Sequence, residues 1–126
     1  QYLGPQFKKD SLDTEIWMGT VNYPNPDYIR TFLNQKNVSD YVRGVGVQWT
    51  GMKALPVIHK EYPSYGYMQT ENMCGNSEND WSALERTWNA VVHCFNNGVG
   101  LICIGIWCSM KLVRVGGTGH KMQWLL

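Results

Sequence analysis

The sequence predicts an α/β fold built on parallel strands. Short β-rich runs alternate with segments of helical periodicity, and the links between them are short enough for parallel βα units. Size agrees: 126 residues, 44% of them apolar and including six Trp and seven Tyr, suffice for one domain with a buried core.

The elements follow in order. "TEIWMGTVN" (14–22) reads as a strand and ends at the turn signal "NYPNPD", in which Pro26 suits the first turn of a helix. In "DYIRTFLNQKNVSDYV", Tyr28, Ile29, Phe32 and Leu33 share one helical face. "GVGVQWTG" (44–51) is a second strand, and "KALPVIHKEYPS" a short helix whose start Pro56 disturbs. "YGYMQTE" is the third strand. From Asp80 to Asn97 the residues Trp81, Leu84, Trp88, Val91 and Phe95 recur at three- and four-residue spacing, the apolar stripe of an amphipathic helix. Asp80 or Ser82 can cap its start, and Asn97-Gly98 suits its end.

Parallel βα units place functional residues at the carboxyl ends of their strands, here Asn22, Trp49 and Glu71. A closed (β/α)8 barrel needs about 250 residues, and three units with their flanks fill this chain. The fold is therefore a small open α/β sheet or part of a barrel.

Composition excludes several classes. Eleven Lys+Arg against ten Asp+Glu give a formal charge of +1 without any run of like charge, so nucleic acid and anionic membrane surfaces are not expected partners. No apolar run reaches the roughly 18 residues that span a bilayer, so no transmembrane segment is expected. "QYLGPQFKKD" lacks the layout of a signal peptide, and a start without Met leads us to expect a piece of something longer. Four unevenly spaced cysteines, Cys74, Cys94, Cys103 and Cys108, allow one or two bridges but not a disulfide framework.

Glu71 is the leading chemical candidate. A Glu after a strand is most often merely solvated, but Thr70 and Asn72 can orient a carboxylate, and Trp49 offers a flat apolar face of the kind that stacks on a sugar. Trp49 is equally compatible with rim packing. Cys74, His93 and Cys94 do not make a metal site: on a helix His93 and Cys94 point about 100° apart. "NVS" at Asn37 is a glycosylation pattern that matters only in a secreted protein. The glycines of "GVGVQWTG" form no GxGxxG, and no cofactor is expected.

The segments "YLGPQF", "DTEIWMGTVNYPNPDYIRTFLN", "GVGVQWTGMKALPVIHKEYP", "YMQTENMCG" and "NDWSALERTW…FNNGV" together resemble the second half of the catalytic barrel of glycoside hydrolase family 30, the glucosylceramidase-like family. The likeness runs over residues 1–99. It implies a partial (β/α)8 TIM barrel in which the three strands are the fifth, sixth and seventh, with the preceding half of the barrel missing. It also implies hydrolysis of β-glycosides with retained stereochemistry. The Glu of the family's T-E-x motif, matching Glu71, would be the nucleophile, and the Trp after the sixth strand, matching Trp49, would line the sugar site. Asn22, Tyr23 and Gln48 complete the expected substrate-binding set. No cofactor or metal is implied, and the substrate would be glucosylceramide or a β-glucan. The compartment implied is secreted, lysosomal or periplasmic.

Retaining hydrolysis needs two carboxyl groups, one to attack the anomeric carbon and one to protonate the leaving oxygen. The family's acid/base is the Glu of an Asn-Glu pair after the fourth strand, before this chain begins. Glu15 stands at the entry of its strand, Glu61 in or after a helix, and Glu78 and Asp80 look like helix-start residues, so no substitute acid is found.

After Gly100 the family pattern stops where an eighth strand with a Y-W-N motif is due, and an aberrant C-terminal tail, "LICIGIWCSMKLVRVGGTGHKMQWLL", stands in its place. Reading each codon's last base with the next codon's first two permits S-Y-M-Y-W-N-M-V-L-D-E-T-G-Q-G-G-W-D-W-P-Q-N-A-V-V-V, which resembles the missing strand and loop. Residues 100–126 are accordingly expected to be out of frame, which leaves Cys103, Cys108 and His120 without a selected role. The coding DNA checks this: uninterrupted in-frame homology past Val99 would refute it. The expectation is a family enzyme whose fragment lacks its acid/base. A non-catalytic carbohydrate-binding module and a secreted disulfide module are the competing classes.

Overall fold

The computed structural model describes residues 2–72 and 80–103. The readings at Cys74, Glu78, Cys108 and His120, and the tail from residue 104, lie outside the described residues.

Helices and strands alternate. α1 (Leu3–Lys9) precedes β1 (Ile16–Val21), α2 (Asp27–Leu33), β2 (Val42–Gln48), a 3₁₀ turn (Trp49–Ala54), α3 (Leu55–Glu61), β3 (Gly66–Glu71), α4 (Trp81–Asn96) and β4 (Val99–Ile102). The four strands form one parallel sheet in chain order, β1-β2-β3-β4, as the α/β reading predicts. Among the described residues the outer edges of β1 and β4 have no strand partner. β4 crosses the boundary near residue 100 and pairs Tyr67 with Val99, Met68 with Leu101 and Gln69 with Ile102.

The core lies between the sheet and α2 and α3. Val45 and Val47 of β2 and Tyr67 of β3 are buried with Ile29, Leu33, Leu55 and Ile58 of the helices. The Tyr67 hydroxyl lies 3.1 Å from the carbonyl of Ile58 and 2.8 Å from that of Tyr62, which fixes the end of α3 on the sheet. On the other face, the Trp17 ring covers Gly44 and Gly66, register partners on neighbouring strands; a Cβ on Gly66 would stand 2.7 Å from that ring. Gly44 of β2 and Gly66 of β3 are therefore packing positions for a tryptophan.

Several expectations are corrected. α2 ends at Leu33, and its predicted face divides: Ile29 and Leu33 are buried, Phe32 is half-buried and Tyr28 is exposed. Pro26 is the N-cap, one position before the helix. Pro56 does not disturb α3, because it occupies the first turn, where its missing N–H has no helical partner to lose. α1, which buries none of its residues, was not anticipated.

α4 forms where the periodicity predicts it, but its stripe is not packed as an amphipathic helix usually packs. Asp80 is its cap and accepts a hydrogen bond from the Ala83 amide at 2.9 Å, while Asn97 and left-handed Gly98 (φ 76°) end it as expected. Its large apolar stripe, however, faces away from the sheet: Trp81 is 71% exposed, Leu84 55%, Trp88 64% and Phe95 59%, with Val91 half-buried. Cys94 is the buried residue of α4, and Ala83, Thr87, Ala90 and Val91 on its side of the helix are half-buried. The side of α4 that is buried or half-buried thus carries small side chains, and the bulky ones stand outside.

Candidate functional site

The carboxyl ends of β1, β2 and β3 lie at one end of the sheet. Val21 pairs with Val47, and Gln48 pairs with Glu71, so the strands finish nearly level. Paired strands run about 4.8 Å apart, which sets Asn22, Trp49 and Glu71 along one rim as the sequence reading expects.

Trp49 has a left-handed backbone, φ 48°. For a bulky L-residue this costs about 1–2 kcal/mol, and residues held so gather at ligand sites. Two neighbours hold it. The Asn22 side-chain oxygen accepts from the Thr50 amide at 3.1 Å and from the Thr50 hydroxyl at 3.0 Å. Gly51 packs so tightly that a Cβ would collide with the Val21 carbonyl oxygen. The turn after β2 is thus tied to the end of β1. Thr50 and Gly51 were missed in the sequence, where "WTG" gave only the weak signal of a glycine just beyond a strand.

Thr70 does not have the role expected of it. Its hydroxyl donates to the Val47 carbonyl at 3.1 Å and meets the Thr20 hydroxyl across Gly46, joining β1 to β3 over β2 instead of orienting Glu71. Asn72 is half-buried and Glu71 is exposed. Tyr23 is 54% exposed and edge-on to Tyr28, with ring centroids 6.3 Å apart. Both tyrosines line a shallow depression of about 380 Å³ with Thr20, Val21 and Asn22, at the carboxyl end of β1.

Other carboxylates are occupied elsewhere. Glu61 closes α3 and receives both Nε and Nη2 of Arg30, at 2.7 and 2.5 Å, and this guanidinium holds its carboxyl below the usual range. Asp80 is held low by the Ala83 amide and the Ser82 hydroxyl. Glu15 lies just before β1 and accepts from the Trp17 indole at 3.1 Å.

His93 and Cys94 both reach the turn after β2. His93 Nε2 lies 2.9 Å from the Met52 carbonyl, and Cys94 Sγ lies 3.5 Å from Met52 Sδ. Burial raises the Cys94 thiol. Cys94 and Cys103 are unbridged, and among the described residues no three His, Cys, Asp or Glu gather as a metal site requires. No described helix is long and apolar enough to cross a membrane.

The sheet and its rim define a parallel α/β unit with residues gathered at the strands' carboxyl ends. No family model matches the sequence, and no curated protein matches it. Among solved structures, the crystal structure of SrfJ from Salmonella typhimurium has a similar fold, with a TM-score of 0.62 and 18% identity over 82% of this chain. The chain corresponds to 25% of the length of SrfJ.

Proposed function

We propose that the chain is a fragment of a retaining β-glycoside hydrolase of the family 30 type, and that its four parallel strands are an arc of a (β/α)8 barrel. Glu71 is the nucleophile that attacks the anomeric carbon to give a covalent glycosyl-enzyme. Trp49 stacks on the sugar, with Gln48, Asn22 and Tyr23 at the same rim. The observation that supports this reading is the pairing of Gln48 with Glu71, one strand from the strained Trp49 at the carboxyl end of a parallel sheet, the end at which barrel enzymes gather their functional residues.

The second carboxyl, about 5–5.5 Å from the first in a retaining enzyme, comes from the preceding half of the barrel, so the fragment alone does not turn over. Glucosylceramide or a β-glucan is the substrate class, and the compartment is secreted, lysosomal or periplasmic. A mechanism-based glycoside inhibitor should label Glu71 in a chain joined to the preceding barrel half. Labelling elsewhere, with Glu71 unmodified, would reject the assignment.

The exposed Tyr23 and the depression beside it support a second reading, a non-catalytic carbohydrate-binding surface. Sugar binding that survives Glu71→Gln and is lost in Trp49→Ala, without inhibitor labelling, would favour it.

A further inference from the structure

We propose that Thr70 is a positioning residue for Glu71: it is the extra residue of β3 that keeps the carboxylate on the face of the sheet opposite the helices. The inference rests on the reading of Glu71 as the nucleophile and adds to it the device that aims the group.

The register carries it. Val47 pairs with Gln69 but Gln48 pairs with Glu71, so Thr70 has no counterpart on β2. Side chains alternate along a strand, and a slip of one residue moves each to the other face. Val45 and Val47 are buried in register with Tyr67 and Gln69, on the side of α2 and α3. Gly44 and Gly46 turn the other way, Gly44 toward Trp17 and Gly46 toward Met68 and Thr70. Strict alternation through Gln69 and Thr70 would send Glu71 to the helix side. The extra residue instead leaves it level with Gln48, the residue after Val47, on the face of Gly46. Glu71 is accordingly exposed whereas Gln69 is fully buried. Extra residues of this kind re-aim side chains and gather beside active sites.

Neighbouring strands hold the extra residue in place. The Thr70 hydroxyl donates to the carbonyl of Val47, 3.1 Å away, at the point where the register slips. It also meets the Thr20 hydroxyl, which belongs to a second slip: Gly19 and Thr20 of β1 together stand against Gly46, between the pairs Met18–Val45 and Val21–Val47. Gly46 supplies the room, since a Cβ there would stand 2.9 Å from the Thr70 methyl carbon. These contacts run to β2 and β1, so Thr70 acts on Glu71 through the backbone that it fixes. A nucleophile must meet its carbon in a narrow geometry, and a misplacement of about 1 Å can cost roughly a hundredfold in rate.

The test uses the chain joined to the preceding barrel half, with an aryl β-glucoside as substrate and a mechanism-based glycoside inhibitor as label. Thr70→Val keeps the shape and loses the hydroxyl; kcat and the rate of Glu71 labelling should each fall about 10- to 100-fold, with KM nearly unchanged. Thr70→Ser restores the hydroxyl and should return both rates close to those of the unsubstituted chain. Thr20→Val, at an exposed position, leaves the bond to Val47 and should give a smaller fall in the same direction. Rates are taken per folded molecule well below the melting temperature, because a purely structural threonine would lower that temperature and leave them unchanged.

Glu71 labelling in the unsubstituted chain together with normal kcat in Thr70→Val, or an unrestored rate in Thr70→Ser, overturns the proposal and leaves the nucleophile assignment standing. Should Thr70→Val not fold, normal kcat in Thr20→Val has the same force. An unsubstituted chain that is not labelled at Glu71 rejects the nucleophile assignment, and the positioning role with it.

Discussion

The side-chain oxygen of Asn22 accepts two hydrogen bonds from Thr50, one from its amide at 3.1 Å and one from its hydroxyl at 3.0 Å. One asparagine thereby ties the ends of two neighbouring strands and fixes the turn that carries Trp49.

Asn22→Ala should lower stability by about 1–2 kcal/mol, since the lost bonds leave the Thr50 groups without their partner. Thr50→Ala should cost less in the Asn22→Ala background than in the wild type. Urea unfolding of the four proteins measures the coupling, expected at about 0.5–1.5 kcal/mol. Additive effects would mean that the bonds do not act as a pair.

Replacements of Trp49 should reverse the usual ranking of glycine and alanine. At φ 48°, Trp49→Gly should be more stable than Trp49→Ala by about 1 kcal/mol, because glycine enters the left-handed region freely. Thermal melts of the two variants decide it, with equal midpoints counting against a strained turn.

Stability should fall in acid through Glu61. Its carboxyl is held below the usual range by Arg30, so the folded state binds fewer protons than the unfolded chain there. The contribution is complete above the ordinary carboxylate range near pH 4.3 and is lost as pH falls through the lowered folded value. Glu61→Gln should flatten this acid limb while leaving the alkaline side unchanged. An unaltered acid limb in the variant would remove Glu61 from the account.

In a chain joined to the preceding barrel half, Glu71→Gln should reduce kcat on an aryl β-glucoside by about a thousandfold or more, the scale seen when a nucleophile is removed. The melting temperature should barely change, because Glu71 is exposed. Retention of near-normal kcat would eliminate it as the nucleophile.

Three of the four strands were legible because each combines β-rich residues with a clear stop, "NYPNPD" after the first and "TE" at the third, whereas β4 (Val99–Ile102), short and at the edge of the tail, was not read as a strand. The cap at Asp80 and the glycine at 98 were legible for the same local reasons. The direction of the α4 stripe was not. Periodicity reveals that Trp81, Leu84, Trp88 and Phe95 share a face, and nothing in a one-dimensional pattern says which neighbour that face meets. The Thr70 contacts escaped too, since a side chain that crosses Gly46 to another strand depends on register, which the sequence does not display. The same holds for Asn22, whose partner Thr50 is 28 positions away.

Sheet order equals chain order, so each strand is laid against the one made just before it. A polypeptide leaving the ribosome could build this sheet vectorially, since no strand has to wait for a later one to be inserted between its neighbours. The growing edge always faces the chain still to come, and an interruption in synthesis leaves a shorter sheet of the same kind.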